Sequence, residues 1–123
     1  MVTIEQVRTG PVSVLAVGGE IDLGSAPRLR AVLDEVLDGP GAWPITGVVL
    51  DLTAVAFLGS AGLAVLVDAH ERAAQQRIAL TLVIGGAGSP VARVLQSAGL
   101  DEHLHVHRSV TTALAAVEGP RPA

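Results

Sequence analysis

The stretch from Val48 to Val67, VVLDLTAVAFLGSAGLAVLV, holds twenty residues and a single charge, Asp51. Its length alone suits a helix crossing a bilayer, which needs about 20 mainly apolar residues. Its contents argue otherwise. A carboxylate near the centre of a spanning helix costs about 2.5–3.5 kcal/mol on insertion scales, and Asp51 lies inside the stretch. Gly59, Ser60 and Gly62 cluster in its middle, and no Arg-rich flank or aromatic belt follows. A buried strand, a sharp junction and the start of a helix fit better. GVVLDL (47–52) is the near-continuous apolar run of a central parallel strand, and a helix is predicted over about 60–76.

Working outward, residues 3–8 and 12–17 are β-prone runs separated by the turn signal TGP, so they read as a hairpin. IDLGSAPRLRAVLDEVL then predicts a helix capped at Ser25 or its neighbour, with Pro27 in the first turn. Leu29, Val32, Leu33, Val36 and Leu37 fall at helical spacing on one face. DGPGAWP is a loop in which Trp43 reads as a packing lid. In the helix after Gly59, the inner or boundary face is expected to carry Leu63, Leu66, Val67, His70 and Ala74. IALTLVI (78–84) is a second buried strand. Ser89 and Pro90 open a short helix, 90–98, with Val91, Val94, Leu95 and Ala98 inward and a stop at Gly99. HLHVH (103–107) alternates like an edge strand, SVTTALAAV is a final helix capped by Ser109, and residues 119–123 read as a flexible tail. The order β-β-α-β-α-β-α-β-α implies one α/β domain over 1–118, with a mixed, mostly parallel sheet and right-handed crossovers.

Composition narrows the function classes. The chain has 123 residues, enough for one core. Half are apolar but only 2% aromatic, so the core must be Val, Leu, Ile and Ala. The formal net charge is −4, there is no lysine, and the arginines are scattered, which argues against a direct nucleic-acid partner. The absence of cysteine excludes disulfides, thiolate metal sites and a cysteine nucleophile. MVTIEQVR lacks the basic region and apolar core of a signal peptide, so a cytoplasmic protein is expected.

Motifs for catalysis fare poorly. LGSAG is not a G-x-S-x-G elbow, because Leu58 stands where the first glycine belongs. GGAGSP lacks the lysine of a phosphate-binding P-loop. GSAG has the form of a nucleotide-clamping GXXG loop, but the acidic balance opposes that use. His103, His105 and His107 would share one face of a strand, a spacing long for a single metal ion, and a solvated edge is the simpler reading. Asp51 is expected to bond neighbouring amides, His70 to sit at a helix boundary, and Asp22 to act as a turn residue or a contact residue. No enzyme constellation and no cofactor site emerge. Ser60 is expected to cap the second helix. That role leaves Gly59 and Gly62 unexplained: Gly59 suggests a positive φ, and Gly62 a helix start kept bare for another backbone. Such a start also tolerates an added phosphate.

Two blocks together, GGEIDLGSAPRLRAVL and VVLDLTAVAFLGSAGLAVLVDAH, resemble the STAS domain of anti-sigma factor antagonists, and with the element order the resemblance covers nearly the whole chain. That family implies a partner switch. An unphosphorylated antagonist binds an anti-sigma factor that is also a GHKL-type serine kinase, so the sigma factor is released. Phosphorylation of a serine at the start of the second helix ends this binding, and a PP2C-type phosphatase restores it. The matching serine is Ser60, and the matching aspartate of the first block is Asp22. The resemblance thus implies a contact surface of Asp22, Leu23, Gly59, Ser60, Ala61, Gly62 and Leu63, with ATP and Mg²⁺ belonging to the kinase. The chain departs from the usual pattern in having Gly59 where an Asp precedes the serine and Ala61 where a Ser or Thr follows. The competing reading is a STAS-like accessory subunit of a membrane phospholipid ABC transporter, which fold alone does not separate from the first.

Overall fold

The computed structural model describes residues 1–38 and 45–118. Trp43 and the tail 119–123 lie outside the described residues. Five strands and four helices follow the expected order: β1 Val2–Thr9, β2 Val12–Ile21, α1 Ala26–Asp38, β3 Gly47–Leu58, α2 Ser60–Gln75, β4 Ala79–Val83, α3 Pro90–Ser97, β5 Val106–His107 and α4 Val110–Glu118. The sheet is ordered β1-β2-β3-β4-β5, with β1 antiparallel to β2 and every other pair parallel.

Strand alternation sorts the core into two faces. Leu15, Leu50, Leu52 and Leu82 meet Leu29 and Leu33 of α1, Leu66 and Ala69 of α2, and Val91 and Leu95 of α3 in one large cluster. Val12, Val49 and Val83 form a smaller cluster with Ala113 of α4. Three helices therefore cover one face of the sheet and a single helix covers part of the other. As the composition required, the fully buried large side chains are Leu, Ile and Val. Asp51, inside the most apolar strand, accepts hydrogen bonds from the Thr53 amide at 3.0 Å and its hydroxyl at 2.7 Å. Its carboxylate is thus held by local donors, as expected. Among the described residues no helix is long and apolar enough to cross a membrane.

The structure corrects several expectations. β3 does not stop at Leu52 but runs on to Leu58, and β2 runs on to Ile21, because their extensions pair with each other. The buried face of α2 carries Gly62, Val65, Leu66, Ala69 and Ala73; Leu66 is inward and Leu63, Val67 and His70 sit half-buried at the boundary, as expected, whereas Ala74 is exposed. That helix is apolar almost all round in its first half. Three small residues, Gly62, Ala69 and Ala73, face the core beside Val65 and Leu66 and allow a close approach, while Leu63 and Val67 lie at the boundary. Ala98, expected inward, is the exposed C-cap of α3. Ser89 does cap α3, accepting from the Ala92 amide at 3.1 Å. Ser109 likewise accepts from the Thr112 amide ahead of α4.

The histidine run is the largest departure. Only Val106 and His107 pair with β4, so His103 and His105 are not strand residues and the three do not share a strand face. A turn after α3 carries the chain back across α2 instead. There the rings of His103 and His105 lie 5.2 and 5.5 Å from that of His70. Among the described residues no group of three or more His, Asp or Glu side chains is placed to hold a metal ion.

Candidate functional site

Parallel pairing of β2 and β3 sets two strand-to-helix junctions side by side at the same end of the sheet. Glu20 pairs with Phe57 and Ile21 with Leu58, and the Gly59 amide donates to the Ile21 carbonyl at 2.9 Å. In open α/β sheets this end, beyond the carboxyl termini of the parallel strands, is where ligands and partners are met.

The first junction is a closed turn. The Asp22 amide donates to Ser25 Oγ and the Ser25 amide to Asp22 Oδ1, both at 2.9 Å. The Ser25 hydroxyl also reaches the Glu20 carbonyl at 2.8 Å. Asp22 therefore has the turn role expected of it. The Ser25 amide and hydroxyl favour its ionised form and hold its carboxyl below the usual carboxylate range. The turn leaves Leu23 83% exposed. A leucine so free of its own core is available to another surface.

The second junction differs from expectation at each glycine and at the serine. The N-cap of α2 is Gly59, not Ser60, and no side chain caps the helix. β3 stays extended through Leu58, so the turn into the helix falls one residue earlier than a capping serine would need. Ser60 is then the first helical residue, and its side chain is exposed. Gly59 has φ −86° and ψ 176°, an extended conformation open to any residue. A Cβ there would come 3.2 Å from the ring of Phe57, a half-exposed side chain that would have to give by a few tenths of an ångström. Gly62 is buried, and a Cβ on it would lie 2.5 Å from Ile21 Cγ2 and 2.7 Å from Leu58 Cδ1. It serves the seating of α2 on the sheet, and what it clears is space for Ile21. Ala61 and Leu63 are half-buried beside the exposed serine.

Two residues not singled out beforehand belong to this region. Phe57, the chain's only phenylalanine, is 52% exposed two positions before Gly59. It lay within the resembling block, but its outward direction is a matter of strand register. Arg93 of α3 lines a shallow groove together with Ser60, Leu63, Val94, Ser97 and Ala98. No spacing in the sequence relates residue 93 to residue 60; the α2–β4–α3 crossover brings them together.

The STAS domain family model matches residues 3–113. The chain belongs to the STAS domain family. This STAS domain is 35% identical, over 121 residues, to the anti-sigma-F factor antagonist RsfB of Mycobacterium tuberculosis, covering 98% of this chain and 93% of that one. It is also similar to the crystal structure of an anti-sigma factor antagonist from Mycobacterium paratuberculosis, with a TM-score of 0.85, 30% identity and coverage of 97% and 96%. The phosphorylated form of the Bacillus cell fate determinant SpoIIAA shares the fold, with a TM-score of 0.67 at 18% identity over 94% of this chain and 99% of that one. The exposed patch of the STAS domain is built by two adjoining junctions. It presents a free hydroxyl, two projecting apolar side chains and a fixed carboxylate. Such a set suits docking to a protein, and it offers a hydroxyl accessible to modification.

Proposed function

We propose that this STAS domain is an anti-sigma factor antagonist, acting in the cytoplasm by binding an anti-sigma factor and so releasing a sigma factor. The observation that carries this reading is the 35% identity to an anti-sigma-F factor antagonist over nearly the full length of both chains. The anti-sigma factor is proposed to be a GHKL-type serine kinase that docks on Asp22, Leu23, Gly59, Ser60, Ala61 and Leu63. Gly62 acts through the seating of α2, being buried. The exposure of Leu23 and of the Ser60 side chain supports this surface.

The kinase transfers the γ-phosphoryl group of ATP to Ser60 Oγ. One P–O bond forms to the serine, the bond to the β-phosphate breaks, ADP leaves, and the hydroxyl proton passes to the kinase or to solvent. The phosphate adds about −1.5 to −2 charges in the middle of the docking surface. A hundredfold loss of affinity corresponds to about 2.7 kcal/mol, well within the cost of leaving a charge uncompensated in an interface. Release therefore needs no refolding. A PP2C-type phosphatase resets the serine.

Incubation with the GHKL kinase encoded in the same genome, with ATP, tests the reading by intact-mass and peptide mass spectrometry. One phosphate on Ser60, lost on treatment with the PP2C phosphatase and absent in Ser60→Ala, is the expected result. Titration calorimetry should show tight binding of the kinase by the unmodified domain and a hundredfold loss on phosphorylation. Phosphate only elsewhere, or capture of an ABC ATPase from lysate with no kinase binding, would overturn it in favour of the transporter-subunit reading.

A further inference from the structure

Among the described residues, Ser60 shares its groove with one cationic side chain, Arg93. Three other arginines of the domain are engaged elsewhere. Arg72 pairs with Asp34, Asp38 and Asp68, Arg30 pairs with Asp68, and Arg28 donates to the Val2 carbonyl. Arg93 is exposed and has no acidic partner among the described residues. The first turn of α2 contains no acidic residue, and Gly59 occupies the position just before the serine. Nothing in that turn therefore repels an anion on Ser60. The absence of a capping side chain on α2 also leaves no oxygen in competition for its first amides.

Resting on the reading of Ser60 as the phosphoacceptor, we propose that Arg93 is a positioning residue for the phosphorylated state. Its guanidinium crosses the groove from α3 and holds the Ser60 phosphate in a charge-assisted, bidentate contact. An arginine fork matches two phosphate oxygens, and such pairs are about twice as strong as neutral hydrogen bonds. Two consequences follow from the one contact. The phosphate ties the start of α2 to α3, so modification tightens the fold rather than loosening it. The held phosphate is also less available to a phosphatase, so the inactive state is prolonged.

The test uses the full chain with phosphoserine installed at position 60 by genetic encoding, so that no kinase is needed. With Arg93 present, phosphorylation should raise Tm by about 3 °C for a chain of this size. It should also shift the Arg93 Nε–H resonance and slow its hydrogen exchange. In Arg93→Gln the Tm rise should vanish and dephosphorylation by a PP2C phosphatase should become about fivefold faster, with Arg93→Lys intermediate. The unmodified Arg93→Gln protein should melt as the wild type does. An equal Tm rise in Arg93→Gln, with an unmoved Arg93 resonance in the wild type, overturns the contact. A contact that forms in the encoded protein, while the cognate kinase never modifies Ser60, overturns instead the phosphoacceptor reading on which it rests.

Discussion

Gly62 is seated against Ile21 so closely that a Cβ on the glycine would lie 2.5 Å from Ile21 Cγ2. Ile21 is fully buried at the end of β2, and Leu58, the next nearest neighbour, is buried at the end of β3. Neither side chain can swing out into solvent, both being buried. Gly62→Ala should therefore push the first turn of α2 off the sheet and destabilise the domain by about 1–3 kcal/mol, the usual range for overpacking. Urea denaturation read by circular dichroism measures this. An alanine variant as stable as wild type would mean that α2 shifts freely and that Gly62 has no packing role.

Arg77 closes α2 in a left-handed conformation, φ 59°, while the Ile78 amide reaches back to the Ala73 carbonyl at 2.9 Å. This is the helix-terminating geometry that glycine ordinarily supplies. Arg77 is exposed, and no ion pair holds it among the described residues. Arg77→Gly relieves a left-handed strain of about 1–2 kcal/mol, partly offset by the added freedom of glycine in the unfolded chain. A net gain of about 0.5–1 kcal/mol in unfolding free energy, read as a raised urea midpoint, is expected, and a loss would contradict the strain.

The reach of sequence reading differs between the fold and the site, for physical reasons. Elements made by periodicity and turn chemistry were readable. GVVLDL read as a buried strand once the charge and glycines of its stretch opposed a membrane helix, Ser89–Pro90 as a helix start, and TGP as a turn. What depended on register was not. Whether Ser60 is the cap or the first helical residue turns on how far β3 stays extended, and that is decided by pairing with β2 across the sheet. The rotation of α2 was hidden because Leu63, Leu66 and Val67 are all apolar, while Gly62, Ala69 and Ala73 carry little hydrophobic signal yet face the core. HLHVH alternates like a strand, but its pairing partner on β4 is reached only at Val106 and His107. Phe57 and Arg93 entered the site through tertiary placement, which no local pattern encodes.

Asp22 offers a test by pH. Its carboxyl lies below the usual range because the Ser25 amide and hydroxyl bind its ionised form. A carboxylate with a depressed folded pKa contributes stability that is present above the unfolded value, about 3.9, and lost as pH falls through the folded one. Asp22→Asn keeps an acceptor for the Ser25 amide but cannot titrate. The fall in stability between pH 5 and pH 2 should therefore be smaller in the variant than in wild type. The side chain is fully exposed and the difference should be modest, so the direct measurement is the Asp22 carboxyl resonance followed by NMR. Titration at or above the ordinary aspartate value would remove the basis for the turn's electrostatic role.

His70 provides the opposite sign. Desolvation on α2 lowers its pKa first, and the neighbouring His105 and His103 lower it further, while Glu71 acts in the other direction. The neutral ring is thus the form the fold accepts, packed 5.2 Å from His103 and 5.5 Å from His105. With the folded pKa below the unfolded value of about 6.5, the unfolded chain takes up the proton first. Stability is then complete above that value and declines as pH falls through it toward the folded pKa. His70→Asn removes the central ring, so its stability should fall less between pH 7 and pH 5 than that of the wild type. A His70 resonance in the wild type that titrates at or above 6.5, with an unchanged stability slope in the variant, would show that His70 carries no such pH dependence.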